Sequence, residues 1–267
     1  RLINVQARKL ELLEAAGLEQ LVVQPFDLPF ARNTAESFEQ TLFDALKVKA
    51  VVVGSDFTYG QKRSGTVQTL APAVAARGAQ VVIVAPVTID GVVVSSSKVR
   101  EYVLEGRVEA AKRLLGRPFD LDGSVVPGKG RGRTIGVPTA NIDTQNELRP
   151  AAGVYAVRAR LVEGAASAPQ ETGPAERQAR SAGRGGPAEI WWGGAANIGV
   201  KPTFGLNEVT IEAHLFDFSG DLYGKRLRVE FIERLRAEQR FGSVAELTGQ
   251  IARDIEKARE AIARVQG

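Results

Sequence analysis

The 267-residue sequence has no cysteine, no methionine and one histidine, His214. Without cysteine there is no disulfide scaffold, no thiolate-held zinc, no iron–sulfur cluster and no cysteine nucleophile. With one histidine there is no two-histidine metal site, and a histidine-based triad is disfavoured. No apolar run approaches the ~18 residues of a membrane span, and no charged-then-apolar signal segment opens the sequence. The expectation is a cytoplasmic chain with no membrane partner. An excess of one charge is also lacking: 35 Lys and Arg stand against 31 Asp and Glu. The resulting +4 and pI near 9.4 suit a protein that handles phosphates but fall short of a strong nucleic-acid footprint. The sequence also opens without an initiator methionine, in running sequence, so a fragment of a longer chain is expected.

What is present is ordinary globular material, 44% apolar and 25% charged, enough for two domains of roughly 150 residues. Up to about residue 117, helix and strand alternate. Ala7–Gly17 has helical spacing and a glycine stop, and Thr34–Leu46 is amphipathic, with Phe38, Leu42 and Leu46 spaced by four. Lys49–Gly54 and Gln80–Val84 are β-branched runs of the kind buried in parallel sheets, with a helix over Val67–Ala76 between them. Two further helices are expected over Ser97–Gly106 and Val108–Gly116.

After Arg117-Pro118 the texture changes to short alternating strands at Asp122–Val126, Gly153–Val162, Ile190–Ile198, Val209–Phe216 and Leu227–Ile232. That predicts a small antiparallel barrel or sandwich. Ser243 with Glu246 forms a capping box ahead of a closing helix, whose Leu247, Ile251, Ile255, Ala258 and Ile262 share one face. Domains are therefore expected at 1–117 and 118–267. Residues 165–187 have no large apolar side chain and read as a disordered insertion.

The densest chemical signal is Gly128-Lys129-Gly130-Arg131-Gly132-Arg133-Thr134-Ile135-Gly136. Its glycines allow close backbone approach and its cations add charge, which suits a polyphosphate; it also reads as a flexible basic turn. Neither a Walker A nor a dinucleotide fingerprint fits it. Thr139 and Asn141 follow, two apart and so on one side if the segment is a strand. A hydroxyl and an amide oxygen there suit a hard Mg²⁺, or simply bond local backbone. Glu212 shares a strand face with His214, and a lone carboxylate on a site could act as general base for a hydroxyl. As plain strand residues, Glu212 would be a surface position and His214 a satisfied structural histidine. In the first half, Gly54–Gly60 follows a parallel strand at the end where such sheets bind ligands. Ser95–Arg100 opens a helix as an anion site or as an N-cap with surface charges.

In this order the segments resemble the prokaryotic bifunctional riboflavin kinase/FMN adenylyltransferase (FAD synthetase) family, over nearly the whole chain apart from residues 165–187. Gly54–Gly60 with Gly65 is similar to the family's GxDFxFG…G stretch, and Ser95–Arg100, Gly106 and Leu114–Phe119 to SSTxIR…G…LLGRP. Gly123–Ile142 is similar to the loop ending in GxPTANI, and Ala196–Gly199, Pro202-Thr203, Glu212–Phe218, Leu235-Arg236 and Phe241 to the rest of the kinase module.

The resemblance implies a truncated nucleotidyltransferase-like α/β domain, then an antiparallel riboflavin kinase β-barrel with a terminal helix. It implies MgATP-dependent phosphorylation of riboflavin to FMN and adenylylation of FMN to FAD. The implied ATP-binding residues are Gly128, Lys129, Gly130, Arg131, Gly132, Gly136 and Thr139, with Thr139 and Asn141 at Mg²⁺ and Glu212 as general base. Asn197 and Arg236 would contact the flavin. The family's GxFDGVHxGH motif is absent from this sequence, so Asp56, Ser96 and Arg100 are expected to be remnants of an impaired adenylyltransferase site. The competing expectations are an RNA-binding protein using its basic glycine-rich run and Arg184-Gly185-Gly186, and an inactive flavin carrier. Few aromatics neighbour the basic run, which counts against RNA. The oligomeric state is left open.

Overall fold

A computed structural model describes residues 1–128, 130, 132, 135–162, 190–203 and 206–266. The expected insertion at 165–187 lies outside the described residues, as do Lys129 and Arg131. The chain divides into two compact units, residues 13–94 and residues 1–12 with 95–267.

The smaller unit is built on two parallel strands, β1 (Ala50–Gly54) and β4 (Gln80–Val84), paired Ala50↔Gln80 to Gly54↔Val84. Two short hairpin ladders accompany them: β2 (Thr58–Tyr59) with β3 (Gly65–Thr66), and β5 (Thr88–Ile89) with β6 (Val92–Val93). Helix α4 (Val67–Ala75) starts at a reciprocal cap between Thr66 and Thr69. Ahead of it lie the four-residue α2 (Leu28–Ala31) and α3 (Ala35–Gln40). The amphipathic run 34–46 is not one α-helix. It turns π-helical at Thr41–Ala45, and the wider turn shifts the apolar phase. Phe43 is therefore buried in the core with Ala35, Tyr59, Leu70 and Val74, while Leu46 is exposed.

The larger unit is a closed six-stranded barrel in the order β10-β11-β8-β7-β12-β9. Its strands are β7 (Phe119–Val126), β8 (Ala140–Asp143), β9 (Gly153–Leu161), β10 (Trp192–Thr203), β11 (Leu206–Leu215) and β12 (Arg226–Arg236). All ladders are antiparallel. Strand alternation explains the core. Phe119 and Leu121 on β7 pair with Phe231 and Val229 on β12, and these face Val157 and Ala159 on β9. All six are fully buried inside.

The alternate residues of the same strands are charged and face outward: Asp120 and Asp122, Arg228 and Glu230, Arg158 and Arg160. Arg158 and Arg160 are half-buried, but Asp120, Asp122, Arg228 and Glu230 do not meet solvent as a sequence pattern would suggest. Arg228 is 1% exposed, because the first twelve residues, with helix α1 (Gln6–Ala15), lie over them. Arg228 holds Asp122 bidentately at 2.7 and 2.8 Å. Its Nη1 is 2.7 Å from Glu11, an ion pair without hydrogen-bond alignment. Arg8 and Arg117 both reach Asp120, at 2.6 and 3.0 Å.

Helices α5 (Ser96–Leu104) and α6 (Val108–Leu115) belong to the barrel unit, so the compact units part elsewhere than at residue 117. The reason is packing. Val99, Val103, Val108 and Ala111 are buried, and Arg234 of β12 donates to the carbonyls of Glu105 and Ala152. Helix α7 (Val244–Gln266) closes the unit, with Ala258, Ala261 and Ile262 packed on Ala156, Phe216 and Ile232 of the barrel wall.

Candidate active site

Strand register assembles the site. Reading across the barrel from β7, Val126 lies opposite Asn141 on β8, Asn141 opposite Glu212 on β11, and Glu212 opposite Asn197 on β10. The row continues through Val154 on β9 to Arg236 on β12. Paired residues share a face of a sheet, so each of the six strands contributes one residue to a single outward-facing row. β12 skips a residue twice, between Phe231 and Glu233 and between Arg234 and Arg236. One skip would turn Arg236 into the barrel, and the second returns it to the outer face.

Four residues of the row, Glu212, Asn197, Val154 and Arg236, border a cavity of about 520 Å³ between the barrel wall and α7. The wall supplies Val154, Asn197, Glu212, His214 and Arg236, and the loop before β8 supplies Gly132, Ile135, Val137 and Thr139. Helix α7 supplies Val244, Leu247, Ile251, Asp254 and Ile255, with Glu238, Gln239 and Phe241 at the turn before it. The lining is therefore an apolar slot with a few convergent polar groups, as small-molecule sites are.

The loop before β8 is held close. The Gly132 carbonyl accepts from Ile135 at 3.2 Å and Val137 at 2.9 Å, and Gly136 supplies the positive φ of 78° that this turn needs. Gly128 lies flat against the Asn141 amide, where a Cβ would overlap it. Thr139 precedes β8 rather than lying in it, since the strand starts at Ala140. Thr139 and Asn141 are thus brought to one region, but not by the shared strand face that the spacing predicts.

Arg236 is already engaged. It donates to both oxygens of Asp254, at 2.8–3.1 Å, and to the Ala237 carbonyl, and its guanidinium lies 5.7 Å from the Phe241 ring. Asp254 also accepts from Gln250 at 2.8 Å. Sequence reasoning missed Asp254, yet a signal was there. It falls on the apolar face of α7, three residues after Ile251 and four before Ala258, and is 4% exposed. A carboxylate on a helix's buried stripe needs a cation there. Glu238 was also missed. Its carboxylate reaches β10 beside Gly199 and Thr210.

The residues expected at the second site are divided between the two units. Asp56 is in the smaller unit, and Ser96 and Arg100 are in the larger. Ser95 caps α5 by accepting from the Lys98 amide at 3.2 Å, and the Arg100 Nε donates to the Arg1 carbonyl at 2.6 Å. The capping box of α7 is shifted by one residue. Ser243 accepts from the Glu246 amide, and Glu246 reaches back to the Gly242 amide.

The barrel, its polar row and the covering helix fall within residues 115–262, which the riboflavin kinase pattern matches, and that match places the unit in the flavokinase class. The FAD synthetase pattern matches residues 1–98. The chain belongs to the bifunctional riboflavin kinase/FMN adenylyltransferase family. It is 36% identical to that enzyme from Haemophilus influenzae over 252 residues, covering 94% of this chain and 74% of that one. It is 34% identical to the Bacillus subtilis enzyme over 261 residues, covering 96% and 74%. A solved structure described as a macrolide-efflux protein from Streptococcus pneumoniae superposes with a TM-score of 0.81 at 31% identity, over 96% of this chain and 75% of that one. The chain thus spans about three quarters of the length of these relatives. It carries a riboflavin kinase domain and part of a FAD synthetase region. Among the described residues no helix is long and apolar enough to cross a membrane.

Proposed function

We infer that the barrel unit transfers the γ-phosphoryl group of ATP to the terminal ribityl hydroxyl of riboflavin. The observation that carries this reading is the row Asn141–Glu212–Asn197–Arg236, set by strand register beside a cavity with apolar walls. Glu212 takes the hydroxyl proton as the oxygen attacks phosphorus; the new O–P bond forms as the bond to ADP breaks. Phosphoryl transfer asks the protein chiefly for positioning and charge neutralisation. The loop Gly128–Gly136 covers the phosphates with its backbone amides, with Lys129 and Arg131 adding charge. Ile135, Val137, Leu247 and Ile251 keep water from the reacting hydroxyl and offer an apolar surface to the isoalloxazine ring. Asn197 and Arg236 fix the flavin, the latter oriented by Asp254.

The oxygen donors present fit magnesium: a threonine hydroxyl, an asparagine amide and a carboxylate are hard ligands. Thr139 and Asn141 would hold it, and when bound it would neutralise phosphate charge.

For residues 1–117 we read a FAD synthetase module in which Asp56, Ser96 and Arg100 remain without the GxFDGVHxGH motif. The 267-residue chain then makes FMN but not FAD. Incubation with riboflavin and MgATP, resolved by chromatography, tests both halves. FMN alone is the expected product. FMN with FAD would overturn the adenylyltransferase half. No flavin product would overturn the kinase half and favour a flavin carrier or an RNA-binding protein.

A further inference from the structure

The ladder between β8 and β11 has two pairs, Asn141↔Glu212 and Ala140↔Ala213. The next step would set Thr139 opposite His214. One residue earlier is Pro138, which has no N–H and cannot extend a ladder as a donor. Backbone pairing therefore stops one residue short of Thr139, the residue that the kinase reading needs held. At this point the His214 Nδ1 lies 2.8 Å from the Pro138 carbonyl oxygen. A carbonyl only accepts, so Nδ1 must carry the proton. In the neutral ring the Nε2 is then bare. The ring itself is half-buried on the cavity wall, 5.7 Å from Phe216 in an edge-on contact. Phe216 is in turn buried against α7, so the imidazole lies beside a ring that is itself held in place.

We propose that His214 is a positioning residue for the kinase site, its Nδ1–H bond to the Pro138 carbonyl continuing the β8–β11 ladder by one step and fixing Thr139 beside Asn141 and Glu212. The proposal rests on the kinase reading above. A side chain does here what a backbone amide does elsewhere in the barrel, and it does so from the strand that carries the base. His214 touches neither reacting atom in this scheme. Its effect is to hold the phosphate-side residues in register with the hydroxyl-side carboxylate. Losing the bond should weaken MgATP more than riboflavin.

Two kinds of measurement test it. The chain has a single histidine, so long-range ¹H–¹⁵N NMR of these 267 residues reports one imidazole. The expected result is the Nδ1–H tautomer, and an Nε2–H tautomer would overturn the proposal. In steady-state assays His214→Phe keeps a flat ring but loses the donor. It should raise KM for MgATP about fivefold, the scale of one neutral hydrogen bond, with KM for riboflavin unchanged. His214→Asn places an amide where Nδ1 stood and should restore the wild-type KM; His214→Gln places it where Nε2 stood and should not. Unchanged MgATP dependence in His214→Phe, or equal behaviour of the Asn and Gln variants, would overturn the proposal while the kinase reading stands. A wild-type chain that makes no FMN overturns both.

Discussion

Helix α7 lies over alanines, valines and isoleucines of the barrel wall and leaves a cavity; the first twelve residues lie over arginines and carboxylates and fill the space with ion pairs. Both faces belong to the same strands. β12 sends Ile232 and Arg236 to the first and Arg228 and Glu230 to the second. The apolar face is suited to chemistry, because it can hold an organic ring while a few polar groups converge on it. The ionic face is suited to fixing one arrangement. Asp120, Asp122 and Arg228 are buried, so each must find its partner or pay a large desolvation penalty.

That contrast predicts separable defects. The largest effect is on rate: Glu212→Gln should lower kcat by about 10²- to 10⁴-fold, the range of a lost general base, with urea denaturation unchanged. A comparable loss of stability in this variant would break the division between the faces. Next is Arg228→Met, which leaves Asp122 buried without its bidentate partner. Unfolding free energy should fall by about 3 kcal/mol, read from urea titration, while kcat per folded molecule holds. Smallest is the pH dependence of Glu11. Burial would raise its pKa, but Arg228 and Arg8 outweigh burial and hold it below the usual carboxylate value. A group with a lowered folded pKa stabilises above its ordinary pKa and loses that contribution as pH falls through the folded one. Wild type should therefore exceed Glu11→Gln in stability at neutral pH, by under about 1 kcal/mol because the site is partly open to solvent. The gap should close in acid below the normal carboxylate range, as thermal melts across pH would record.

Much of this was legible in the sequence, element by element. The runs at 50–54 and 80–84 pair as parallel strands, and the alternating segments after Pro118 form a barrel. Asn141, Glu212, Asn197 and Arg236 were each singled out. Their arrangement in one row was not legible, since the register that pairs Asn141 with Glu212, 71 residues on, and Val154 with Arg236, 82 residues on, follows from barrel closure rather than local pattern. Asp254 was passed over because Arg253 and Glu256 make its neighbourhood look like a solvated helix face. The covered arginines were invisible for a related reason. Phe-Asp-Leu-Asp and Leu-Arg-Val-Glu-Phe read as half-exposed strands, and only residues 1–12, more than a hundred positions away, bury the charged side.

The strand row also determines which changes the gene can tolerate. Substituting a neighbour of Glu212 changes one contact, whereas inserting or deleting a single codon within β8, β10 or β11 rotates every later residue of that strand through half a turn. In β11, a deletion ahead of Glu212 would turn the carboxylate into the hydrocarbon interior and put Ala213 in its place, and an insertion would put Ile211 there. Codons can be gained or lost between strands at little expense, but within them the alphabet is freer than the count, and the spacing of the row is kept by the length of its strands.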